Sequence, residues 1–564
     1  MKKIIPVLIA VVLIIVVAAI GFGTMLLDKY SYSKERADLT EYFGVRGDDD
    51  VPIILQDEQV EEHAKLWDGV CYFDFATVHK YFNDRFYEDK KESLLLYALP
   101  DVVVSTEIGS QSVSVGGDGS SRDYVIARYE GDTLYVAADF VKEYSNFSYT
   151  LYTEPNHMQV YTQWDERQVA VITKDTQVRY QGGIKSDILT DVSKGDKVVV
   201  LETMETWSKV KTEDAFIGYV ENKRMGEAFA ETLLPVTDYV EPVYQSNTRD
   251  HKINLAWHAV ASAAGNDTLS EMMAGTKSIN VISPTWFALS DNEGNFTSNA
   301  TAGYVSQAHS MGLEVWGLVD NFTNEGVDTY EVLAGTSTRS HLISGLIAAA
   351  LEYDLDGINV DFENISLDAG EPFIQFIREL SIPCRQHGIV LSVDNYVPMG
   401  YTDHYNRKEQ GIVADYVIIM GYDEHYRGSE TAGSVASINF VEKGIADTVA
   451  QVPAHKVINA IPFYTRIWET NGTTVDSQAV GMEIAQQYVR EHGITTVWNE
   501  ETCQNYGEYQ SDGSLFQVWL EDSDSIRVKL NIMSKYGIAG VAEWKLGFEV
   551  DSIWDVIEEY MNQS

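Results

Sequence analysis

The run Leu355-Asp356-Gly357-Ile358-Asn359-Val360-Asp361-Phe362-Glu363 interleaves polar and apolar side chains. A strand places residues two apart on one face. Asn359, Asp361 and Glu363 then share a face, while Val360 and Phe362 pack on the other. Three adjacent polar side chains aimed into a core cost free energy unless they are paired or in use. An Asp two residues before a Glu predicts like-charge repulsion and a shared proton, which raise the pKa of Glu363. That keeps one carboxyl as an acid near neutral pH. The competing reading is an edge strand with a solvated polar face, and the apolar run on the opposite side argues against it.

The elements that must position these acids follow from the pattern after residue 251. Strands are expected at 253–260, 279–283, 314–319, 357–362, 390–395, 416–420, 457–461 and 540–544. Helices are expected between several of them, at 340–353, 371–387 and 436–451. Eight strands alternating with helices predict a (β/α)8 barrel, the TIM-barrel class. A doubly wound open sheet is the alternative, but no Gly-x-Gly-x-x-Gly follows the first strand. Catalytic groups of such barrels sit at the C-terminal strand ends. Strand four ends in Asp361 and Glu363, strand six in Met420-Gly421-Tyr422-Asp423-Glu424-His425, and strand eight in Glu543-Trp544. An insertion at about 469–536 carries a helix near 481–492 and strands around 496–498 and 517–520. It could form one wall of a substrate groove.

Asp356-Gly357-Ile358-Asn359-Val360-Asp361-Phe362-Glu363 resembles the Asp-Gly-x-Asp-x-Asp-x-Glu signature of glycoside hydrolase family 18, the chitinase-like enzymes. One position departs: Asn359 stands where the signature has Asp. That variant looks like the branch containing spore-cortex and cell-wall hydrolases of Gram-positive bacteria. Met420-Gly421-Tyr422-Asp423 resembles the family's Met-x-Tyr-Asp motif, and Ile461-Pro462-Phe463-Tyr464 its strand-seven motif. Trp544 stands where the family has the tryptophan that floors the sugar pocket.

The resemblance implies the roles. Glu363 is the acid, Asp361 orients the substrate acetamido group, and Tyr422 donates a hydrogen bond to its carbonyl oxygen. Trp544 stacks on the sugar. Asp423, Met420, Asn359, Asp356, Tyr464 and Trp257 are candidate substrate-binding or supporting residues, with Asp356 expected to buffer or fix the acid cluster. Trp286, Trp316 and Trp468 are sugar platforms or core aromatics, and Asn321 and Asn395 are candidates to face the pocket. Glu521-Asp522-Ser523-Asp524 reads as a solvated helix start. Asp361 and Glu363 come from one strand face, too close for a pair of carboxyls flanking the bond, which favours substrate-assisted hydrolysis.

The rest of the chain says where the acids work. After Met1-Lys2-Lys3, the apolar run 4–27 has about 24 residues, enough at ~1.5 Å each to cross a ~30 Å hydrocarbon core. The lysines predict a cytoplasmic start and an outward-facing remainder. A cleaved signal peptide is the alternative. Residues 34–165 read as a small α+β domain with short strands, and Leu134–Val141 faintly resembles the N-terminal domain of copper amine oxidases, without implying a copper site. The Gly116-Gly117-Asp118-Gly119 run reads as a hairpin turn, not a phosphate loop. In 167–226, the Lys194-Gly195-Asp196 turn, Trp207-Ser208-Lys209-Val210 and Gly218-Tyr219-Val220 resemble bacterial SH3-like domains, which often bind peptidoglycan. Residues 228–250, with Pro235 and Pro242, read as a linker.

A chain of 564 residues with 45% hydrophobic content and net charge −44 is expected to hold several domains and not to bind nucleic acid. Three scattered cysteines and no His-Glu-x-x-His pattern give no expectation of a metal or other cofactor. The expected partner is an N-acetylglucosamine-containing glycan, peptidoglycan before chitin, beside the membrane. The sequence predicts a membrane-anchored extracellular glycosidase. The alternatives are a chitooligosaccharide hydrolase and an inactive chitinase-like binding protein, the latter disfavoured because both acids are retained.

Overall fold

The strand–helix alternation after residue 250 closes, in the computed structural model, into a barrel of eight parallel strands. The structure describes residues 4–234 and 237–563. Lys2, Lys3 and Pro235, which figured in the anchor and linker expectations, lie outside the described residues.

The barrel strands are β1 (Ile253–His258), β2 (Val281–Leu289), β3 (Glu314–Asp320), β4 (Gly357–Asp361), β5 (Val390–Tyr396), β6 (Tyr416–Met420), β7 (Val457–Pro462) and β8 (Gly540–Trp544). Each pairs in parallel with its neighbours, and β1 closes the ring between β2 and β8. Alternation sorts the side chains into two layers. Leu255, Trp257, Trp316, Leu318, Ile418 and Ala542 fill the interior, while Val315, Val319, Val360, Val393 and Val541 pack against the surrounding helices. Close strand packing requires Gly357, where a Cβ would lie 2.7 Å from the Trp316 ring, and Gly540, where it would lie 2.0 Å from the Ile253 carbonyl.

The first described helix, α1 (Ile4–Tyr30), is long and apolar enough to cross a membrane. Within the barrel unit, α2 (Thr336–Tyr353) has no cap from its own N-cap residue, Gly335. Asp89 accepts from the Thr336 amide and hydroxyl at 2.6 Å each, and Glu92 from the Ser337 amide at 2.6 Å. These carboxylates meet the orphan amides of the first turn. A bidentate pair, Arg339 with Glu379 at 2.8 Å twice, ties α2 to α3 (Gly370–His387). Removing either partner of so buried a pair would strand a charge.

Two compact units divide the chain. One comprises residues up to Phe86, Thr106–Val113 and Ser120–Glu241; the other comprises Tyr87–Ser105, Ser114–Gly119 and Pro242–Ser564. Residues 87–105 therefore group with the barrel, a division the expected boundary at 165 does not follow. The first unit holds a seven-stranded sheet built around Asp50–Leu55, whose strand Glu58–Trp67 sequence periodicity does not reveal. It also holds an all-β region, a seven-stranded sheet running in sequence from Glu166–Val171 to Phe229–Thr232. The last of these strands pairs with the first, so the expected linker begins as an edge strand. Its far end is fastened as well: Arg249 holds Glu314 at 2.6 and 3.0 Å, and Asn247 donates to Asp415 at 2.6 Å. Gly116 and Gly117 adopt φ of 58° and 97°, as a turn requires. Cys71 and Cys384 are buried, Cys503 is half-buried, and all three are free thiols.

The insertion between β7 and β8 is a five-stranded antiparallel sheet from Tyr464 to Leu520, with helix Met482–Glu491 against it. It is shorter than the expected 469–536, because α4 (Ser523–Tyr536) belongs to the barrel and packs into its core. Asp522 caps α4, but Glu521 is not solvated. It is fully buried on Lys529 at 2.9 Å.

Candidate active site

A cavity of about 190 Å³ opens at the C-terminal ends of the strands. Asp361 ends β4 and Glu363 follows two residues later. Asp394 and Tyr396 end β5, Met420 ends β6, and Trp544 ends β8. Tyr422 and Asp423 come from the loop beyond β6, Tyr464 from the first strand of the insertion after β7, Phe322 from the loop after β3, and Trp257 from β1.

Glu363 is held at two levels. Its backbone N–H donates to Asn321 Oδ1 at 2.8 Å, and its carbonyl accepts from Asn321 Nδ2 at 2.9 Å. Its Oε2 accepts from the Tyr396 hydroxyl at 2.6 Å. Burial pushes its pKa up, opposed by the Tyr396 bond and reinforced by the charges of Asp423 and Asp320. The repulsion between Asp361 and Glu363 bears on Asp361, and no hydrogen bond joins the two.

Asp361, 6% exposed, has an Oδ1 with no hydrogen-bond partner. Burial, then Asp394, Glu363 and Asp320, drive its pKa well above the usual carboxylate range. Beneath it, Asn359 is fully buried. Its Oδ1 accepts from Trp257 Nε1 at 2.9 Å and from Ser283 Oγ at 3.1 Å, and its Nδ2 donates to Asp394 Oδ1 at 2.9 Å. Asn359 supports the cavity floor and does not line the cavity.

Tyr422 packs edge-on to Tyr464, whose hydroxyl donates to Asp423 at 2.6 Å. Asp423 adopts φ of 59°, a left-handed backbone that an Asp tolerates at a turn. Trp544 meets Trp257 edge-on at 5.8 Å; both line the cavity, Trp257 as a buried ring and Trp544 as the more exposed one. A half-exposed indole over a polar cavity can stack on a sugar face, and the raised carboxyl of Glu363 can donate a proton.

The structure brings Glu363, Asp361, Tyr422, Trp544, Asp423, Met420, Tyr464 and Trp257 to one cavity. It corrects several other expectations. Asp356 lies at the opposite, N-terminal end of β4, where Oδ2 accepts from the Val315 N–H and pairs with His309, both at 2.8 Å. Glu543 shares the outward face of β8 with Val541 and does not line the cavity. Asn395 turns outward to Gln410. Trp286 and Trp468 are buried, donating to Asn266 and the Gly433 carbonyl. Trp316 stacks on Tyr416 inside the barrel, among its buried core residues. Asp394 and Tyr396 were missed, although Val390, Ser392, Asp394 and Tyr396 share a strand face by the same alternation that marks β4.

Known proteins resemble this chain in sequence and fold. Residues 287–549 match the glycosyl hydrolases family 18 model, and residues 174–225 match the bacterial SH3 domain model. The chain is 24% identical over 295 residues to an uncharacterized glycosylase, YvbX, of Bacillus subtilis, covering 50% of this chain and 84% of that protein. It is 21% identical over 279 residues to the cortical fragment-lytic enzyme of Bacillus anthracis, covering 46% of this chain and 62% of that one, under two thirds of its length. The crystal structure of a chitinase from Chromobacterium violaceum superposes with a TM-score of 0.50 at 25% identity, covering 56% of this chain and 100% of that one. Residues 287–549 thus carry a family 18 glycosyl hydrolase domain, preceded by a bacterial SH3 domain, and the chain is a glycosidase.

Proposed function

We propose that this glycosidase cleaves β-1,4 bonds of N-acetylglucosamine-containing glycan, peptidoglycan foremost, by substrate-assisted catalysis with retention of configuration. The observation that carries the reading is the placement of Asp361 and Glu363 on one strand end, in a cavity shared with Tyr422 and Trp544. Two carboxyls on one side of the bond leave the nucleophile to the substrate.

Glu363 gives its proton to the glycosidic oxygen as the bond to the anomeric carbon breaks. The carbonyl oxygen of the substrate's 2-acetamido group bonds to that carbon, forming an oxazolinium ion. Asp361 accepts the acetamido N–H, and Tyr422 donates to the acetamido oxygen. The Glu363 carboxylate then takes a proton from water, whose oxygen opens the ring from the face the leaving group vacated. Trp544 holds the sugar by its apolar face.

Peptidoglycan is favoured over chitin by two features outside the barrel. Helix α1, with 27 residues, is read as an uncleaved anchor that leaves the barrel outside the cell. The SH3 domain is read as a wall-binding module. The likeness to a chitinase structure keeps chitooligosaccharides as the second reading.

The test uses the full-length protein in detergent micelles with purified peptidoglycan and with chitooligosaccharides, identifying new reducing ends by mass spectrometry. N-acetylglucosamine ends released from peptidoglycan by wild type and not by Glu363→Gln are expected. Release from chitooligosaccharides alone moves the substrate to chitin, and release from neither overturns the reading.

A further inference from the structure

We propose that Asp394 is a positioning carboxyl of this site: from β5 it takes the place of the acid that the family signature has at position 359, and it shares one proton with Asp361. This rests on the proposed mechanism only in the use made of the pair; the pair itself is a matter of geometry.

The amide of Asn359 is oriented from both sides. Its oxygen takes two donors, the Trp257 indole N–H and the Ser283 hydroxyl. Its NH2 must then face an acceptor, and that acceptor is Asp394 Oδ1 at 2.9 Å. A carboxylate at 359 could accept the same two donors, but would set a second negative charge against Asp394. Asn359 and Asp394 are thus complementary: the amide suits its neighbour because the carboxyl stands one strand over.

Asp361 and Asp394 are neighbours on adjacent strands. Val360 lies opposite Val393 in the β4–β5 ladder, and the next residue on each strand is one of the two acids. Both line the cavity and both are almost wholly buried, 6% and 2% exposed. Asp361 Oδ1 and Asp394 Oδ2 each lack a hydrogen-bond partner. A proton held between two such oxygens satisfies both, whereas two charges there would repel in a medium of low dielectric.

The other ionisable groups nearby do not compete for this proton. Asp320, at the end of β3, accepts from the Thr323 N–H at 2.8 Å, the Phe322 N–H at 3.2 Å and the Thr323 hydroxyl at 3.0 Å. Glu363 is engaged by Tyr396, and Asp423 by Tyr464. Tyr422 is held as a neutral phenol by burial. Burial drives Asp394 upward as it does Asp361, with the Asn359 bond opposing. In the reaction, Asp361 must accept the acetamido N–H as a carboxylate. The proton it gives up stays on Asp394 and returns when product leaves, so the pair's net charge is constant.

The test uses full-length protein in micelles with 13C-labelled aspartate carboxyls, as wild type, Asp394→Asn and the swap Asn359→Asp/Asp394→Asn. An Asn at 394 can still accept from Asn359, so a merely structural role leaves titration and turnover unchanged. A shared proton instead predicts an aspartate signal that titrates well above the ordinary range in wild type and moves by about one pH unit or more in Asp394→Asn. The swap restores the wild-type titration. On a cleavable glycan, kcat falls roughly 100-fold in Asp394→Asn with KM little changed, and the swap recovers most of it. Identical titrations in wild type and Asp394→Asn overturn the shared proton. A swap no better than Asp394→Asn overturns the claim that the carboxyl has changed strands. If no glycan is cleaved by any form, the mechanism fails while the titration still decides the pair.

Discussion

Two pairs of aspartates, Asp356 with Asp415 at one end of the barrel and Asp361 with Asp394 at the other, are supplied with donors differently. At the N-terminal end, Asp415 accepts from the Leu391 N–H at 2.8 Å, the Asn247 N–H at 2.6 Å and the Ser246 hydroxyl at 3.0 Å. Asp356 there is met by the Val315 N–H and His309. At the C-terminal end, Asp361 and Asp394 each keep an oxygen without a donor. Carboxyls supplied with donors fasten strands together. Buried carboxyls denied them are pushed toward the protonated form, and Asp361 and Asp394 are so placed at the cavity. A polar strand residue is therefore read by the donors that face it, not by its presence on the strand.

The largest effect expected from breaking this contrast is at Glu363. Glu363→Gln keeps the Tyr396 partner but removes the proton, and kcat should fall by about 10³-fold or more in a reducing-end assay. Asp361→Asn comes next, with a roughly 100-fold loss of kcat and a smaller change in KM, measured on the same substrate. At the opposite end the effect should be on stability alone. Asp415→Ala strands the buried Leu391 N–H and should cost about 2–3 kcal/mol in urea unfolding, with kcat within about twofold. A comparable loss of kcat would erase the contrast between the two ends.

Much of this was legible in the sequence, and the reasons differ by region. Buried parallel strands are short apolar runs, so all eight barrel strands could be placed to within a few residues except β2, which runs on to Leu289. The β4 acids stood out because their apolar neighbours left no other face for them. Glu58–Trp67 carries Glu, Gln, His and Lys on a half-buried strand, a pattern that does not read as β. Asp394 sat inside a strand already assigned, and its role depends on Asn359 from the next strand. The Glu521–Lys529 pair spans eight residues and exists only because the insertion and α4 bury it together. Contacts of this kind are set by tertiary packing and leave no local period.

Two smaller effects sharpen the contrast. Tyr396→Phe removes the one bond that holds the Glu363 pKa down, so the alkaline limb of the pH–rate profile should move up by about half a unit to one unit, with a few-fold change in kcat. Glu543 tests whether an unpartnered carboxyl outside the cavity only costs stability. Both of its oxygens lack partners, and burial, with Glu549, pushes it well above the ordinary 4.5. A carboxyl raised on folding loses stability as pH rises from its unfolded value through its folded one. Stability should therefore fall above pH 4.5, and Glu543→Gln should flatten that fall, gaining about 1 kcal/mol or more near pH 8, with kcat unchanged.

The most direct measurement of the central claim is the pH dependence of kcat/KM for the full-length enzyme on peptidoglycan fragments. Glu363 acts while protonated, so activity should persist above the ordinary glutamate value of 4.5 and fall only as pH rises through its raised pKa. That limb should be absent from the residual activity of Glu363→Gln. Activity that declines from pH 4.5, or a Glu363→Gln enzyme as fast as wild type, would contradict a cavity built to keep this carboxyl an acid.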